Sequence, residues 1–158
     1  MESKIILTGI KPTGETHLGN YLGAIKPALE LAKKYPNEKK FFFIADYHAL
    51  TTIKDPLKMR DFRYNIAATW LSFFKGIDNC FFYFQSDIPQ IFELYWILSC
   101  FCPKGLLNRA HAYKSLTAKN IENKYDQDRQ INQGLFSYPV LMAADILLFH
   151  ATKIPIGP

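Results

Sequence analysis

The sequence lacks any apolar run long enough to cross a membrane. A span needs ~18 uninterrupted apolar residues, and the longest candidates, FFFIA and CFFYF, are strand-length. No secretory leader is expected either. The opening MESKIILTGIK has too short an apolar run and no small-residue cleavage site. Cysteine is scarce: Cys80, Cys100 and Cys102 cannot pair completely within the chain. Cys80 falls in a strand-like run, and Cys100 and Cys102 end an apolar helix. A lone Cys-x-Cys with no histidine at ligand spacing is a weak basis for a metal site, so no metal is expected. The thiols are expected to be reduced and buried, in a cytoplasmic protein. Charge of one sign is also modest: the formal net charge is +5, compatible with a polyanionic partner but ordinary for a soluble protein. There are no internal repeats, no G-x-G-x-x-G and no GxxxxGK[ST].

What remains is globular. Hydrophobic residues make up 49% and charged residues 21% of 158 residues, about one domain's length. Aromatics reach 15%, with 13 Phe and 9 Tyr, so the core is expected to be bulky. Three continuous apolar runs, 4–8, 41–45 and 81–85, read as strands buried on both faces of a parallel sheet. Helical spacing fills the intervals, from about Leu18 to Tyr35, and from the Asp55-Pro56 cap to a stop at Gly76. The β-α-β-α-β order argues an α/β fold of the doubly wound kind. Beyond it, Gln90–Phe101 is apolar nearly all round and suits either a core or a subunit interface. A further helix is expected from about Leu106 to Lys114, then a polar surface loop at 118–130, an apolar helix over 138–149 and a fourth strand in KIPIGP.

The stretch KPTGETHLGNY, residues 11–21, lies between the first strand and the first helix. In α/β sheets ligands bind where strand ends meet helix starts. Gly9, Gly14 and Gly19 are expected to allow close backbone approach and positive φ. Pro12 stiffens the turn, and His17 and Asn20 supply donors beside free helix amides. Such an ensemble suits a phosphate with developing charge.

This pattern resembles the first signature of the class I aminoacyl-tRNA synthetases, here His17-Leu18-Gly19-Asn20. The prefix Pro12-Thr13-Gly14 and the suffix Tyr21-Leu22-Gly23-Ala24 resemble the tryptophanyl/tyrosyl branch. Four more stretches match it in order: Asp46-Tyr47-His48-Ala49-Leu50, Gln85-Ser86-Asp87-Ile88-Pro89, 107–114 (LNRAHAYK) and 138–148 (YPVLMAADILL), the last followed by Ile154-Pro155-Ile156-Gly157. The 138–148 stretch resembles the tryptophanyl members.

The resemblance implies the amino-terminal part of a Rossmann-like doubly wound parallel sheet, the class I synthetase nucleotide-binding fold, over 1–158, with a helical insertion at about 89–130. It implies catalytic roles for His17, Gly19 and Asn20. ATP contacts would come from Ile10, Lys11, Pro12, Thr13, Gly14, His17, Gly19 and Asn20. For tryptophan it implies Asp145, Tyr138, Met142, Thr8 and His48. A carboxylate among apolar neighbours suits the donor-only indole N–H, and Ala143 and Ala144 leave room for a ring. Met142 fits a pocket wall or plain core, and His48 a ligand contact or a structural histidine. Arg109, Lys114 and Arg129 fit tRNA phosphates or a solvated face. The implied partners are tryptophan, ATP with Mg²⁺ bound on its phosphates and not by protein ligands, tRNA(Trp) in the full-length enzyme, and a second subunit in a homodimer.

The family's second signature, Lys-Met-Ser-Lys-Ser, and its anticodon-reading helical domain are not in the sequence. Lys58-Met59-Arg60 sits mid-helix, the wrong place. The piece alone is therefore expected to be inactive. The rivals are a tyrosyl-type synthetase, a small nucleotidylyltransferase with an H-x-G-H loop, and a non-catalytic synthetase-like module.

Overall fold

The computed structural model describes residues 4–155. The Ile156 and Gly157 positions of the expected strand and motif lie outside the described residues. The chain divides into two compact units, Met1–Ile88 with Phe149–Pro158, and Pro89–Leu148.

The first unit is built on three parallel strands in the order β1-β2-β3: β1 Ile5–Ile10, β2 Lys39–Ile44 and β3 Cys80–Phe84. Ile10 pairs with Ile44, and Ile44 with Phe84, so all three strands end at one edge. After β1 comes one continuous helical run. It starts as α1 (Leu18–Asn20), widens into a π-turn at Tyr21–Ile25 and continues as α2 (Lys26–Lys34). Pro27 explains the widening: it has no N–H to donate, and its ring would collide with a carbonyl four residues back in a regular helix.

Helix α3 (Asp46–Ala49) is a single turn after β2. Helix α4 (Pro56–Phe73) starts where Asp55 accepts from the amides of Leu57 and Lys58, the cap read from the sequence. Alternate strand residues face opposite sides. Phe42 and Ile44 join Ile25, Ala28, Ile66, Trp70 and Phe74 in one core, with the Phe42 ring 4.7 Å from Phe74 and 5.4 Å from Trp70. On the other side Phe41 and Tyr83 meet Phe149 at 4.8 and 5.3 Å. In place of a full fourth strand, the described residues show a single parallel bridge between Lys153 and Ile6.

Gly9 belongs to β1, not to the loop. A Cβ there would lie 2.4 Å from the Phe43 ring, so glycine is what lets that ring lie across the strand. Its φ is negative, as are those of Gly14 and Gly19. Among the described residues the one glycine with positive φ is Gly76, which ends α4.

The second unit is helical: α5 (Gln90–Phe101), α6 (Lys104–Leu107), α7 (His111–Glu122) and α8 (Gln133–Leu148). Helix α5 packs on α8. The Ser137 hydroxyl spends its proton on the Gln133 carbonyl, so at 2.8 Å it is Tyr95 that donates to Ser137.

Three expected helix bounds need correction. The helix expected over 106–114 is two helices, broken at Asn108–Ala110. Residues 118–122 are the last turn and a half of α7 rather than loop. There Asn120, buried, donates to the carbonyls of Gln127 and Arg129 and folds the following loop back. Helix α8 begins five residues before Tyr138, because Asn132 accepts from the Leu135 amide as a cap and Pro139 is carried inside the helix. The thiols also differ from expectation: Cys100 is exposed, and Cys80 and Cys102 are half-buried. Burial pushes the Cys80 thiol above its usual range, with Lys40 pulling the other way. No helix among the described residues is long and apolar enough to cross a membrane.

Candidate active site

The edge where the three strands end carries the loop 11–17, helix α3 and the 3₁₀ turn Gln85–Asp87. The loop lines a cavity of about 420 Å³, within the usual size of a small-molecule site. Lys11, Pro12, Thr13, Gly14, His17 and Asn20, six of the eight residues expected at ATP, line it. Glu15, Thr16 and Ile66 complete the lining. Ile10 is buried in the core behind the loop, and Gly19 lies against the His17 ring rather than in the lining.

His17 and Asn20 cap the helix reciprocally. The Gly19 amide donates to His17 Nδ1 at 3.1 Å, and the His17 amide donates to Asn20 Oδ1 at 3.0 Å. The Asn20 amide is taken by the His17 carbonyl at 2.9 Å. The first-turn amides expected for a ligand are thus partly used within the loop. What the cap offers outward is different. With Nδ1 accepting, the neutral ring carries its proton on Nε2, so exposed His17 presents an N–H donor. A Cβ at Gly19 would stand 2.9 Å from the His17 ring. Glycine is required for the ring to lie over that amide. Gly14, with open space around it, carries no such constraint.

Beside this loop, buried Asp46 is surrounded by donors. Oδ1 accepts from the amides of Tyr47 and Ser86, both at 3.1 Å. Oδ2 accepts from the Ser86 hydroxyl at 2.6 Å and lies 3.1 Å from Arg63 Nε as an ion pair. Arg63 also donates to Ser86 Oγ at 3.2 Å and lays its guanidinium 4.2 Å from the Phe84 ring centre. Sequence reasoning places Asp46 and Ser86 only within motifs and Ile66 only in the apolar spacing of a helix, and it gives no role to Arg63 or Thr16. An aspartate directly after a buried strand is a legible signal. The partners, 17 and 40 residues away, are not.

The residues expected at tryptophan fall in both units. Thr8 on β1 and His48 on α3 are buried in the first, and the His48 amide donates to buried Gln85 Oε1 at 3.4 Å. Tyr138, Met142 and Asp145 lie on α8 in the second, at i, i+4 and i+7, one helix face. Asp145 is 2% exposed, Ala144 is buried, Tyr138 half-buried, and Met142 is 48% exposed, so it is not plain core. Among the described residues no group of three His, Cys, Asp or Glu is placed to hold a metal ion.

The family model for tRNA synthetases class I (W and Y) matches residues 2–158. A tryptophan--tRNA ligase of Pseudomonas putida is 57% identical over 152 residues, covering 96% of this chain and 34% of the relative. One from Bordetella pertussis is 53% identical over the same coverage. The chain thus spans about a third of the length of the curated relatives it matches. Among solved structures, the Campylobacter jejuni tryptophanyl-tRNA synthetase complexed with ADP and tryptophan is similar with a TM-score of 0.78 and 45% identity, over 97% of this chain and 44% of that one.

Proposed function

The chain belongs to the class I tRNA synthetases of the tryptophanyl and tyrosyl type, and on that premise we propose that it forms the nucleotide-binding part of a tryptophan–tRNA ligase. The observation that carries this reading is the His17–Asn20 cap beside a cavity lined by residues 11–17. The Campylobacter jejuni relative, solved with ADP and tryptophan, supports it.

In the proposed reaction a carboxylate oxygen of tryptophan attacks the α-phosphorus of ATP. The bond to the bridging oxygen breaks, and pyrophosphate leaves with the electron pair. Catalysis of such a step is mostly positioning and charge stabilisation. His17 directs its Nε2–H at phosphate oxygen, Gly19 lets the ring adopt that pose, and Lys11 at the cavity wall adds positive charge. Mg²⁺, which none of these side chains is expected to hold, would supply further neutralisation on the nucleotide's phosphates. The aminoacyl group then passes to tRNA(Trp) in the full-length enzyme.

Asp145 reads the indole N–H, with Ala143 and Ala144 leaving room for the ring and Tyr138 and Met142, on the same helix, contributing to binding. A homodimer accounts for the apolar side chains that α5 exposes, Trp96 at 68% and Phe101 at 81%. The free thiols fit the cytoplasm.

The test is amino-acid-dependent ATP–pyrophosphate exchange by the full-length protein. Exchange should depend on tryptophan. Dependence on tyrosine would replace the tryptophanyl assignment with a tyrosyl one. In Asp145→Ala the tryptophan requirement should rise about tenfold or more, since a hydrogen bond to a charged group is worth about 1.5–3 kcal/mol. The ATP requirement should change little. Loss of ATP affinity instead would make Asp145 a structural carboxylate.

A further inference from the structure

We propose that Arg63 is a positioning residue for nucleotide binding: by clamping Asp46 and Ser86 it sets the helix whose Ile66 walls the cavity. This rests on the reading of that cavity as the ATP site. Arg63, Ile66 and Thr69 sit at i, i+3 and i+6 of α4, neighbours along one side of the helix. Their contacts run in sequence along the end of the sheet. At one end Arg63 reaches over β3, its guanidinium on the Phe84 ring, Nη2 on Ser86 Oγ and Nε beside Asp46 Oδ2. One turn on, Ile66 is 3% exposed and forms cavity wall opposite Lys11–His17. Another turn on, Thr69 Oγ1 lies 3.4 Å from Thr16 Oγ1, within the loop itself.

The clamp is suited to this task because it is planar and multiply tied. A guanidinium donates along fixed directions and stacks at the same time, which an ammonium cannot do. Asp46 follows the central strand, and Ser86 follows β3. Arg63 therefore joins α4 to the ends of two strands at once. Losing the clamp frees α4 to shift and moves the Ile66 wall and Thr69 relative to the loop. Displacement on the order of 1 Å at a binding wall weakens the ligand pose substantially. None of the three residues in the clamp lines the cavity, so its effect on nucleotide is transmitted through α4.

The experiment measures ATP binding by calorimetry and ATP–pyrophosphate exchange in the full-length protein, for wild type, Arg63→Ala, Arg63→Lys and Asp46→Asn. Arg63→Ala should weaken ATP binding about tenfold, with the KM for ATP rising in step and the KM for tryptophan moving less. Millimolar guanidinium, far below denaturing concentration, should restore most of the loss, since the Arg63 side chain is 29% exposed. Arg63→Lys should fall between wild type and Ala, and should keep the variant set informative if Arg63→Ala fails to fold. Arg63→Ala combined with Asp46→Asn should cost about as much as the worse single change. The inference is overturned if ATP affinity stays at the wild-type value in Arg63→Lys and guanidinium-free Arg63→Ala while only thermal stability drops. A wild type that binds ATP but shows no amino-acid-dependent exchange would sink the ligase reading and leave the calorimetric comparison to decide the clamp.

Discussion

Where the strands begin, Lys40 is wholly buried, and its ammonium donates to the carbonyls of Pro36 at 2.9 Å and Asp78 at 3.0 Å. Where they end, Asp46 is 4% exposed and accepts three hydrogen bonds besides its ion pair with Arg63, yet at the same edge of the sheet His17 stays exposed. Each edge buries a charge. At the first, the charge closes two loops against the sheet and leaves nothing to recognise a ligand. At the second, the buried charge stiffens a frame, and a separate exposed group is held on it by a helix cap. Buried polar groups must be satisfied internally, so a site that binds from solvent has to keep its working donors out of such networks.

That contrast is open to attack, and the sharpest blow falls on His17. His17→Ala should lower exchange by about 10²–10³-fold, the usual cost of one donor aimed at developing charge, while the thermal midpoint of the full-length protein moves little. A large fall in the midpoint with exchange preserved would place His17 among the structural groups of the first edge. Gly19→Ala comes next. Its methyl meets the His17 ring at 2.9 Å, so the ring must turn away, and exchange should fall about 10²-fold with His17 still present. Gly23→Ala is the control, with room for its methyl and no place in the cavity lining, and should stay near wild type.

Lys40→Met probes the opposite edge. Two carbonyls lose their donor, at a cost of about 2 kcal/mol once solvent reaches them, so the midpoint should fall by about 4–8 °C for a chain of this size. Exchange per folded molecule and the KM for ATP should be unchanged. A rise in that KM would mean the two edges communicate.

The legible parts of the fold were those written in contiguous residues. FFFI and CFFYF announce buried parallel strands, Asp55-Pro56 announces a helix start, and the apolar run Gln90–Phe101 is a helix with the bounds expected. The loop after β1 was legible for the same reason: its residues lie within ten positions of each other, and the cavity gathers most of them. What escaped was written across distance. Pro139 reads as a first-turn proline until Asn132 is seen to cap the helix a turn and a half earlier. The polar letters of 118–122 read as loop because the Asn120 amide bonds that fold the segment back are invisible in the sequence. Gly9 reads as part of the turn because its neighbour, Phe43, lies on another strand. Arg63 has no local sign at all; its meaning comes from Asp46 and Ser86.

The smallest effect concerns Tyr35, at the edge where the strands begin. Its hydrogen bond with Lys153, together with the charges of Lys153, Lys34 and Lys4, holds the phenol below its ordinary 10.0 against a weaker opposing effect of burial. The three ammonium groups stand 4.6–5.8 Å from the ring centre. A folded value below the unfolded one means the folded state favours the phenolate. The added stability is therefore complete above pH 10, and is lost as pH falls through the folded value. An ultraviolet titration should show one tyrosine ionising ahead of an ordinary phenol, and Tyr35→Phe should remove that step together with the alkaline gain in stability. Because the lysines are near the surface, added salt should shrink both effects. Nucleotide affinity should not follow, since nothing in this cluster reaches the cavity lining. If Tyr35→Phe changed ATP binding across the same pH range, charge at the start of the strands would be shaping the site at their end, and the division between a closing edge and a binding edge would fail.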